Sequence, residues 1–183
     1  MNIKDLEKPL GASDIDFRVQ SIGQMPDKRV WAILLAYKNA RVDINRLNKV
    51  CGHLGWKREH SRDNKNCTVS IWDENNKHWV SKEDTGTESN TEQQKGLASD
   101  SFKRSCFNWG IGIELYRFPL LFTYLNTDEY FINEKKKDKW NKPIIQATKK
   151  LKLNKWSWNI IEDNNQICVT GKDQKNIVRV QAK

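Results

Sequence analysis

Cations and an aromatic ring lie close together in the segment 95–109. Lys103 and Arg104 are neighbours, and Phe107 follows Lys103 by four residues. If the segment is helical, positions four apart lie on one face, so a cation and a ring stand side by side. A single strand needs cations for its phosphates, and its unpaired bases stack on aromatic rings with about 1–3 kcal/mol each. The segment is therefore a candidate contact for single-stranded nucleic acid.

The same residues also have an ordinary structural interpretation. Asp100 precedes Arg104 by four residues, which is the spacing of a common helix salt bridge. Phe107 would fit equally well against a neighbouring element of the fold. Residue types alone leave both interpretations open.

A second concentration of positive charge lies between Glu134 and Lys155. This stretch contains nine lysines and two acids, a local excess of +7 in a chain whose net charge is +9. Such a stretch is typical of a solvated surface. It is also the composition of a polyanion contact, whose affinity falls steeply with salt because each neutralised phosphate releases counterions.

Other site chemistries have weaker support. The zinc-ligating residue types between positions 51 and 67 have a spacing that matches no compact zinc finger; they are Cys51, His53, His60 and Cys67. Two acidic pairs, Asp73-Glu74 and Glu83-Asp84, contain the carboxylates that a magnesium-dependent nuclease needs, although acids are common in turns and at strand ends. The chain has no Gly-Lys-Ser or Gly-Lys-Thr phosphate loop, which disfavours ATP-driven strand exchange.

Length and composition bound the class of protein. The 183 residues, about 21.5 kDa, suffice for one domain of ordinary size with a small appendage. The longest apolar run, Val30–Tyr37, is too short to cross a bilayer, and the first residues lack the apolar region of a secretory signal. The four cysteines are widely spaced, which indicates reduced thiols. We therefore expect a basic cytosolic or nucleoplasmic protein without a membrane partner.

The candidate residues must be positioned by strands and helices, which hydrophobic periodicity predicts. A helix is expected to end at Gly55, and a second one at Gly110. Strands are expected at 17–20, 30–37, 56–60, 67–72, 78–82, 156–160, 167–169 and 177–180. For the apolar run 30–37, a short buried helix is the alternative. The three strands within 56–82 are joined by short polar turns, so they are predicted to form an antiparallel meander. The second helix is expected to lie on that meander.

Two motifs stand out between residues 79 and 116. The longer motif reads Asp-x-x-Lys-Arg over 100–104, Trp-Gly-Ile-Gly over 109–112 and Leu-Tyr over 115–116. The shorter motif, Trp79-x-x-Lys82-x-Asp84-x-Gly86, lies upstream of it. Both resemble motifs of phage Sak-type single-strand annealing proteins. The resemblance covers about residues 10–124 and extends to the wider Rad-fifty-two-type annealase superfamily, including its DdrA-like relatives.

The resemblance implies an α+β fold with a β-β-β-α core. In such a core an antiparallel β-meander packs on a long helix, and the subunits assemble into a ring or helical arc. Residues 1–125 are then expected to form the single-strand annealing domain. Residues 126–183 are expected to form a divergent, lysine-rich C-terminal region with short strands. The resemblance implies no catalytic residue, no metal and no cofactor.

The resemblance also implies a DNA groove. Lys103 and Arg104 match the basic pair that contacts the DNA backbone, Tyr37 falls at a groove tyrosine, and Arg18 falls at a groove arginine. Phe107 stands where some relatives have a further arginine, so stacking could replace a phosphate contact there. Together with a lysine at the start of the helix motif, the predicted nucleic-acid-binding residues are Arg18, Tyr37, Lys95, Lys103, Arg104 and Phe107.

The expected function is ATP-independent binding of single-stranded DNA and annealing of complementary strands, in phage homologous recombination or DNA repair inside a bacterial host. The expected partners are single-stranded DNA, further copies of the chain, and a phage exonuclease or a host single-strand-binding protein. Two alternatives stay open. One is a protein that coats and protects single strands without annealing them, and the other is a magnesium-dependent nuclease.

Overall fold

The chain forms two compact units. The computed structural model describes residues 2–87, 93–151, 153, 157–163, 166–172 and 179–181, with side chains at 2–87, 96–151 and 153. Unit 1 comprises residues 1–15 and 38–116, and unit 2 comprises residues 16–37 and 117–183. Each unit therefore takes segments from separate parts of the chain, and the two units cut across the division expected at residue 125.

The strands and helices match the expected mixture of antiparallel sheets and helices. In chain order they are β1 (Ile15–Gln24), β2 (Val30–Lys38), α1 (Ala40–Cys51), β3 (Trp56–His60), β4 (Asn66–Asp73), β5 (His78–Thr85), α2 (Gln93–Asn108), β6 (Leu120–Tyr124), β7 (Tyr130–Lys137), β8 (Pro143–Ala147), β9 (Ser157–Asp163), β10 (Gln166–Lys172) and β11 (Arg179–Gln181). Short 3₁₀ helices cover Ile3–Glu7, Ala12–Asp14 and Ile113–Arg117. The α+β class expected from the sequence is confirmed.

Unit 1 is built around a three-stranded antiparallel sheet in the order β3-β4-β5. Alternate residues of β4 face one side of this sheet, where Cys67, Val69 and Ile71 are buried. Helix α2 packs against the same side, and its Phe102 and Cys106 belong to the same apolar cluster. A period-two strand and an amphipathic helix can share one core in this way because each has a single apolar face.

Gly86 allows α2 to approach the end of β5 closely. A Cβ atom at this position would lie 2.6 Å from the backbone nitrogen of Ser101 and 2.8 Å from the carbonyl oxygen of Leu97. These two atoms belong to the helix backbone, so they could not move aside as a flexible side chain could. The glycine of the shorter motif is therefore required for the packing of helix on sheet.

Helix α1 anchors the N-terminal segment through Arg46. The Nη1 atom of Arg46 donates hydrogen bonds to the carbonyl oxygens of Asp5, Leu6 and Lys8, the last at 2.6 Å, and Nη2 donates to that of Pro9. The first of these residues lie in the 3₁₀ helix that carries the fully buried Leu6. A guanidinium has enough donors to satisfy several carbonyls at once, so one side chain holds the segment against α1.

Unit 2 contains a four-stranded sheet in the order β1-β2-β6-β11. β2 pairs antiparallel with β6, and Leu34 lies opposite Leu121, both buried. The C-terminal strands are divided between two sheets, because β9 and β10 pair with each other whereas β11 pairs with β6. β7 and β8 form a separate hairpin. In the described part of the chain, no helix is both long and apolar enough to cross a membrane.

Candidate nucleic-acid interface

The basic pair of α2 is held by two carboxylates. Lys103 lies 3.7 Å from Asp100, one turn away on the same helix. Arg104 donates from Nε to the Oδ1 atom of Asp84 on β5, at 3.1 Å. The spacing in the sequence suggested an Asp100–Arg104 salt bridge, but the structure pairs each cation differently. Both side chains are partly exposed, 23% for Lys103 and 40% for Arg104, so each remains accessible to a ligand.

The two sequence motifs meet where β5 packs against the C-terminal half of α2. Lys82 donates to the carbonyl oxygen of Asn108 at 2.6 Å, and its ammonium lies 4.5 Å from the ring centroid of Trp109. Asn108 returns a hydrogen bond from Nδ2 to the carbonyl oxygen of Glu83 at 3.1 Å. Together with the Arg104–Asp84 bond, these contacts fix the helix in register against the strand.

Phe107 is covered by two neighbours. The ammonium of Lys38 lies 3.9 Å from the centroid of the Phe107 ring, and the ring of Tyr116 packs against it with centroids 4.8 Å apart. Tyr116 is 63% exposed. The ring that unit 1 presents to solvent here is therefore Tyr116, supported from behind by Phe107. Tyr116 belongs to the Leu-Tyr part of the longer motif, but its spacing from α2 follows no helical period, so periodicity could not assign it.

Lys38 is a buried cation beneath this aromatic pair. Its ammonium donates to the carboxylate of Asp43 and to the carbonyl oxygen of Ile111, and both side chains of the Lys38–Asp43 pair are almost fully buried. Burial lowers the pKa of Lys38, and the Asp43 carboxylate opposes that change. Burial raises the pKa of Asp43 to about 6, although Lys38 and, more weakly, Lys103 lower it. The candidate surface thus rests on a buried ion pair that the sequence did not indicate.

Gly112 lets the turn after α2 pass over Lys38. Its φ is 76°, a left-handed conformation that side chains other than glycine rarely adopt. An added Cβ would also lie 3.0 Å from Leu10 Cδ1 and 3.1 Å from Lys38 Cδ. The backbone conformation and the close packing therefore require glycine at the last position of the Trp-Gly-Ile-Gly motif, whether or not a ligand binds.

The remaining predicted residues lie elsewhere. Arg18 on β1 and Tyr37 on β2 belong to unit 2, where the guanidinium lies 5.7 Å from the centroid of the tyrosine ring. Burial raises the pKa of Tyr37, and Asp16 raises it further while Arg18 lowers it. Lys95 lies within α2, but its side chain is outside the described residues. The structure thus brings Arg18 together with Tyr37, and brings Lys103 together with Arg104 and Phe107.

The net charge is divided unequally between the units. Unit 1 has 15 Lys and Arg residues against 14 Asp and Glu residues, whereas unit 2 has 17 against 9. The basic pair of α2 is therefore part of a nearly neutral unit. The charge excess of the chain lies in unit 2.

Two acidic pairs were candidates for a nuclease site, but their carboxylates accept hydrogen bonds from neighbouring protein groups. Asp73 accepts hydrogen bonds from the backbone of Asn75 and Asn76, and bonds to the Asn76 side chain lower its pKa. Glu83 accepts hydrogen bonds from Asn66 and Thr68 on the neighbouring strand. Within the ranges that the structure describes, no group of three or more His, Cys, Asp or Glu side chains is arranged to hold a metal ion.

Known proteins add no independent assignment of this site. No family model, curated protein or solved structure matches the chain. The likeness to the annealing proteins therefore depends on the motif residues of the sequence alone. Membership of that family stays a prediction.

Proposed function

We propose that this protein binds single-stranded DNA and anneals complementary strands without ATP, as a homo-oligomeric ring or helical arc. The proposed setting is phage homologous recombination or DNA repair in the cytoplasm of a bacterial host. The observation that carries the proposal is the packing of the two motifs against each other. Residues that are separated in the sequence, Asp84 and Arg104 above all, meet on one side of a β-β-β-α unit.

The basic pair would contact phosphates by exchanging partners. Lys103 and Arg104 each form a partly exposed ion pair, with Asp100 and Asp84 respectively, and ion pairs that solvent reaches are worth only about 0–1 kcal/mol. A phosphate can therefore displace Asp100 or Asp84 from its cation at a small cost in free energy. Arg104 has further N–H donors besides the Nε atom used for Asp84, so that carboxylate can orient the guanidinium toward a phosphate.

Tyr116 would supply the stacking surface that the sequence assigned to Phe107. An exposed ring can accept a base without sequence preference, because every base has an aromatic face. Phe107 and Lys38 support this ring from the inside, and the buried ion pair fixes Lys38 in turn. Annealing needs no bond to be broken, so extended, charge-neutralised and unpaired strands are all that the protein must provide.

Oligomerisation would compensate for the small number of contacts in one subunit. A few phosphate and stacking contacts give weak binding, but identical sites along one strand act together and raise the overall affinity. β3 and β5 are the outer strands of the sheet in unit 1, and outer strands are surfaces on which another chain can pair. We expect electron microscopy of the purified protein to show rings or arcs. Persistent monomers at the concentrations used for annealing would contradict the proposal.

The direct test is the rate at which two complementary labelled oligonucleotides pair in the presence of the protein. We expect the full chain to accelerate pairing in the absence of ATP and Mg²⁺, and to leave the oligonucleotides at full length. A protein that binds the strands but slows their pairing would be a coating protein. Shortened products that appear only with Mg²⁺ would identify a nuclease, and either result would overturn the annealing proposal.

A further inference from the structure

The tip of the β7–β8 hairpin, residues 137–143, presents a single exposed tryptophan. Trp140 is 69% exposed, which is rare for tryptophan because its large apolar surface is usually covered. The ammonium of Lys139 lies 4.7 Å from the centroid of the indole ring, within the range of a cation–π contact. An indole held out to solvent beside a cation is a surface that can receive a flat, electron-rich ligand.

The backbone that carries Trp140 has a defined shape. Oδ1 of Asp138 accepts hydrogen bonds from the backbone nitrogens of Trp140 and Lys142, both at 2.8 Å. The backbone nitrogen of Asp138 donates to the carbonyl oxygen of Lys142 at 2.8 Å, and Asn141 completes the turn with a φ of 60°. Asparagine tolerates this left-handed conformation better than most residues. The tip therefore loses little conformational freedom when it binds a ligand.

Lysines outnumber acids in the hairpin segment that carries the indole. Residues 134–142 contain five lysines, all exposed, against Glu134 and Asp138. Glu134 lies 3.6 Å from Lys137, and Asp138 bonds to the turn backbone. The lysines of the tip are Lys135, Lys136, Lys137, Lys139 and Lys142. A polyanion near the tip would therefore meet mostly positive charge.

Two kinds of polyanion have the chemistry for such a surface, a nucleic acid strand and an anionic membrane. Membrane docking uses a broad apolar face beside the charges. Here the other exposed apolar side chains of the hairpin, Phe131 and Ile132, lie at the opposite end of β7, five residues or more from the tip, or about 17 Å along the strand. A single exposed ring can stack on one base, and the lysines of the tip can contact the neighbouring phosphates. The tip therefore fits a nucleic acid strand better than a membrane.

We infer that the hairpin tip is a second contact for single-stranded nucleic acid, in which Trp140 stacks on a base while Lys139 and Lys142 bind the flanking phosphates. The ligand class rests on the proposed function, but the residues differ from those of α2 and belong to unit 2. This assignment gives a role to the strongest local charge in the chain. The affinity of the tip for a strand would then have a stacking contribution from Trp140 and an ionic contribution from the lysines, and the two respond differently to salt.

The test is the affinity of the full-length protein for a labelled oligothymidine, measured by fluorescence anisotropy over a series of salt concentrations. We expect Trp140→Ala to weaken binding about tenfold at every salt concentration, and Trp140→Phe to restore most of the affinity. We expect Lys139→Gln with Lys142→Gln to make the negative slope of log affinity against log salt shallower by about 1.4, or about 0.7 for each lost phosphate contact. On an oligonucleotide without bases, Trp140→Ala should bind like the unsubstituted protein.

Matched controls remove an exposed apolar side chain or two exposed lysines from unit 1. Leu54→Ala truncates a leucine that is 93% exposed, and Lys4→Gln with Lys49→Gln lowers the net charge by the same amount as the hairpin pair. We expect Leu54→Ala to leave affinity unchanged, and the unit 1 lysine pair to alter the salt slope less than the hairpin pair does.

The possible results separate the hairpin from the proposed function. If the unsubstituted protein binds the oligothymidine and Trp140→Ala binds it equally well, the hairpin assignment is wrong while the annealing proposal stands. If Trp140→Ala loses binding only to vesicles of phosphatidylserine and phosphatidylcholine, the tip is a membrane contact and the assignment is also wrong. If the unsubstituted protein binds no oligonucleotide, both proposals fail.

Discussion

At the scale of single residues, the least expected feature is the buried pair formed by Lys38 and Asp43. Two opposite charges in the interior cost desolvation energy that their mutual attraction barely offsets, yet the loss of one partner leaves the other uncompensated. Lys38 also donates to the Ile111 carbonyl oxygen and lies under Phe107. The pair therefore supports the turn that carries the exposed ring of Tyr116.

We predict that Lys38→Met lowers the free energy of unfolding by about 3–5 kcal/mol, and that Lys38→Met with Asp43→Leu recovers most of it. Without Lys38 the pKa of Asp43 should rise above its present value of about 6. A folded-state pKa above the unfolded one stabilises the protein at low pH, and that contribution is lost as the pH rises through the folded pKa. Urea unfolding should therefore show the deficit of the single variant, relative to the double variant, growing from pH 5 to pH 8. Equal deficits at both pH values would contradict the pairing.

The sequence predicted the cations of α2 but not their partners. Lys103 and Arg104 could be named because adjacent cations on a helix are visible in the sequence. Asp84 could not be paired with Arg104, because that contact depends on how β5 lies against α2. Phe107 was named for stacking, but its ring is covered by a lysine and a tyrosine from other segments of unit 1. Tertiary contacts of this kind have no local periodicity.

At the scale of elements, the packing of α2 on β5 determines whether the two motifs meet. The contact at Gly86 leaves no room for a Cβ, because the backbone of Ser101 and Leu97 is already within 3 Å of the position that it would take. Lys82, Asn108 and Arg104 then form hydrogen bonds along the same line of contact. A displacement of the helix at Gly86 would therefore weaken those bonds together.

We predict that Gly86→Ala lowers the free energy of unfolding by about 1–3 kcal/mol, the usual cost of overpacking a closely packed site. The measurement is denaturant unfolding followed by tryptophan fluorescence. Gly11→Ala is the matched control, because an added Cβ there meets its nearest atoms only at 3.7 Å, and we expect it to change stability by no more than about 0.5 kcal/mol. Equal stability of both variants would show that the helix is not seated against Gly86.

The elements were more predictable than their arrangement. Alternating burial in β4 and a helical repeat in α2 are local patterns, so the strands of the meander and the helix could be placed from the sequence. The pairing of β2 with β6 joins residues that are 87 to 93 positions apart, and nothing in either run specifies the other. For the same reason, the assignment of β1 and β2 to a unit with the C-terminal region could not be read from composition.

At the scale of the whole molecule, the sequence motifs and the excess positive charge lie in different units. The motif residues lie in unit 1, which is close to neutral, and the excess of lysine lies in unit 2. Net charge alone therefore does not identify the proposed DNA contact. We expect the basic pair of α2 to contribute phosphate contacts at defined positions, and the hairpin of unit 2 to contribute a second contact and much of the salt dependence of binding.

The measurement that tests the central claim most directly is annealing and single-strand binding by the double variant Lys103→Ala with Arg104→Ala. We predict that binding weakens by about 100-fold or more, since each charge-assisted contact is worth roughly tenfold, and that annealing is lost with it. Oligomer size should be unchanged, which also shows that the variant folds, and Lys4→Ala with Lys49→Ala should anneal normally. Normal annealing by the Lys103 and Arg104 variant, in an oligomer of unchanged size, would contradict the account.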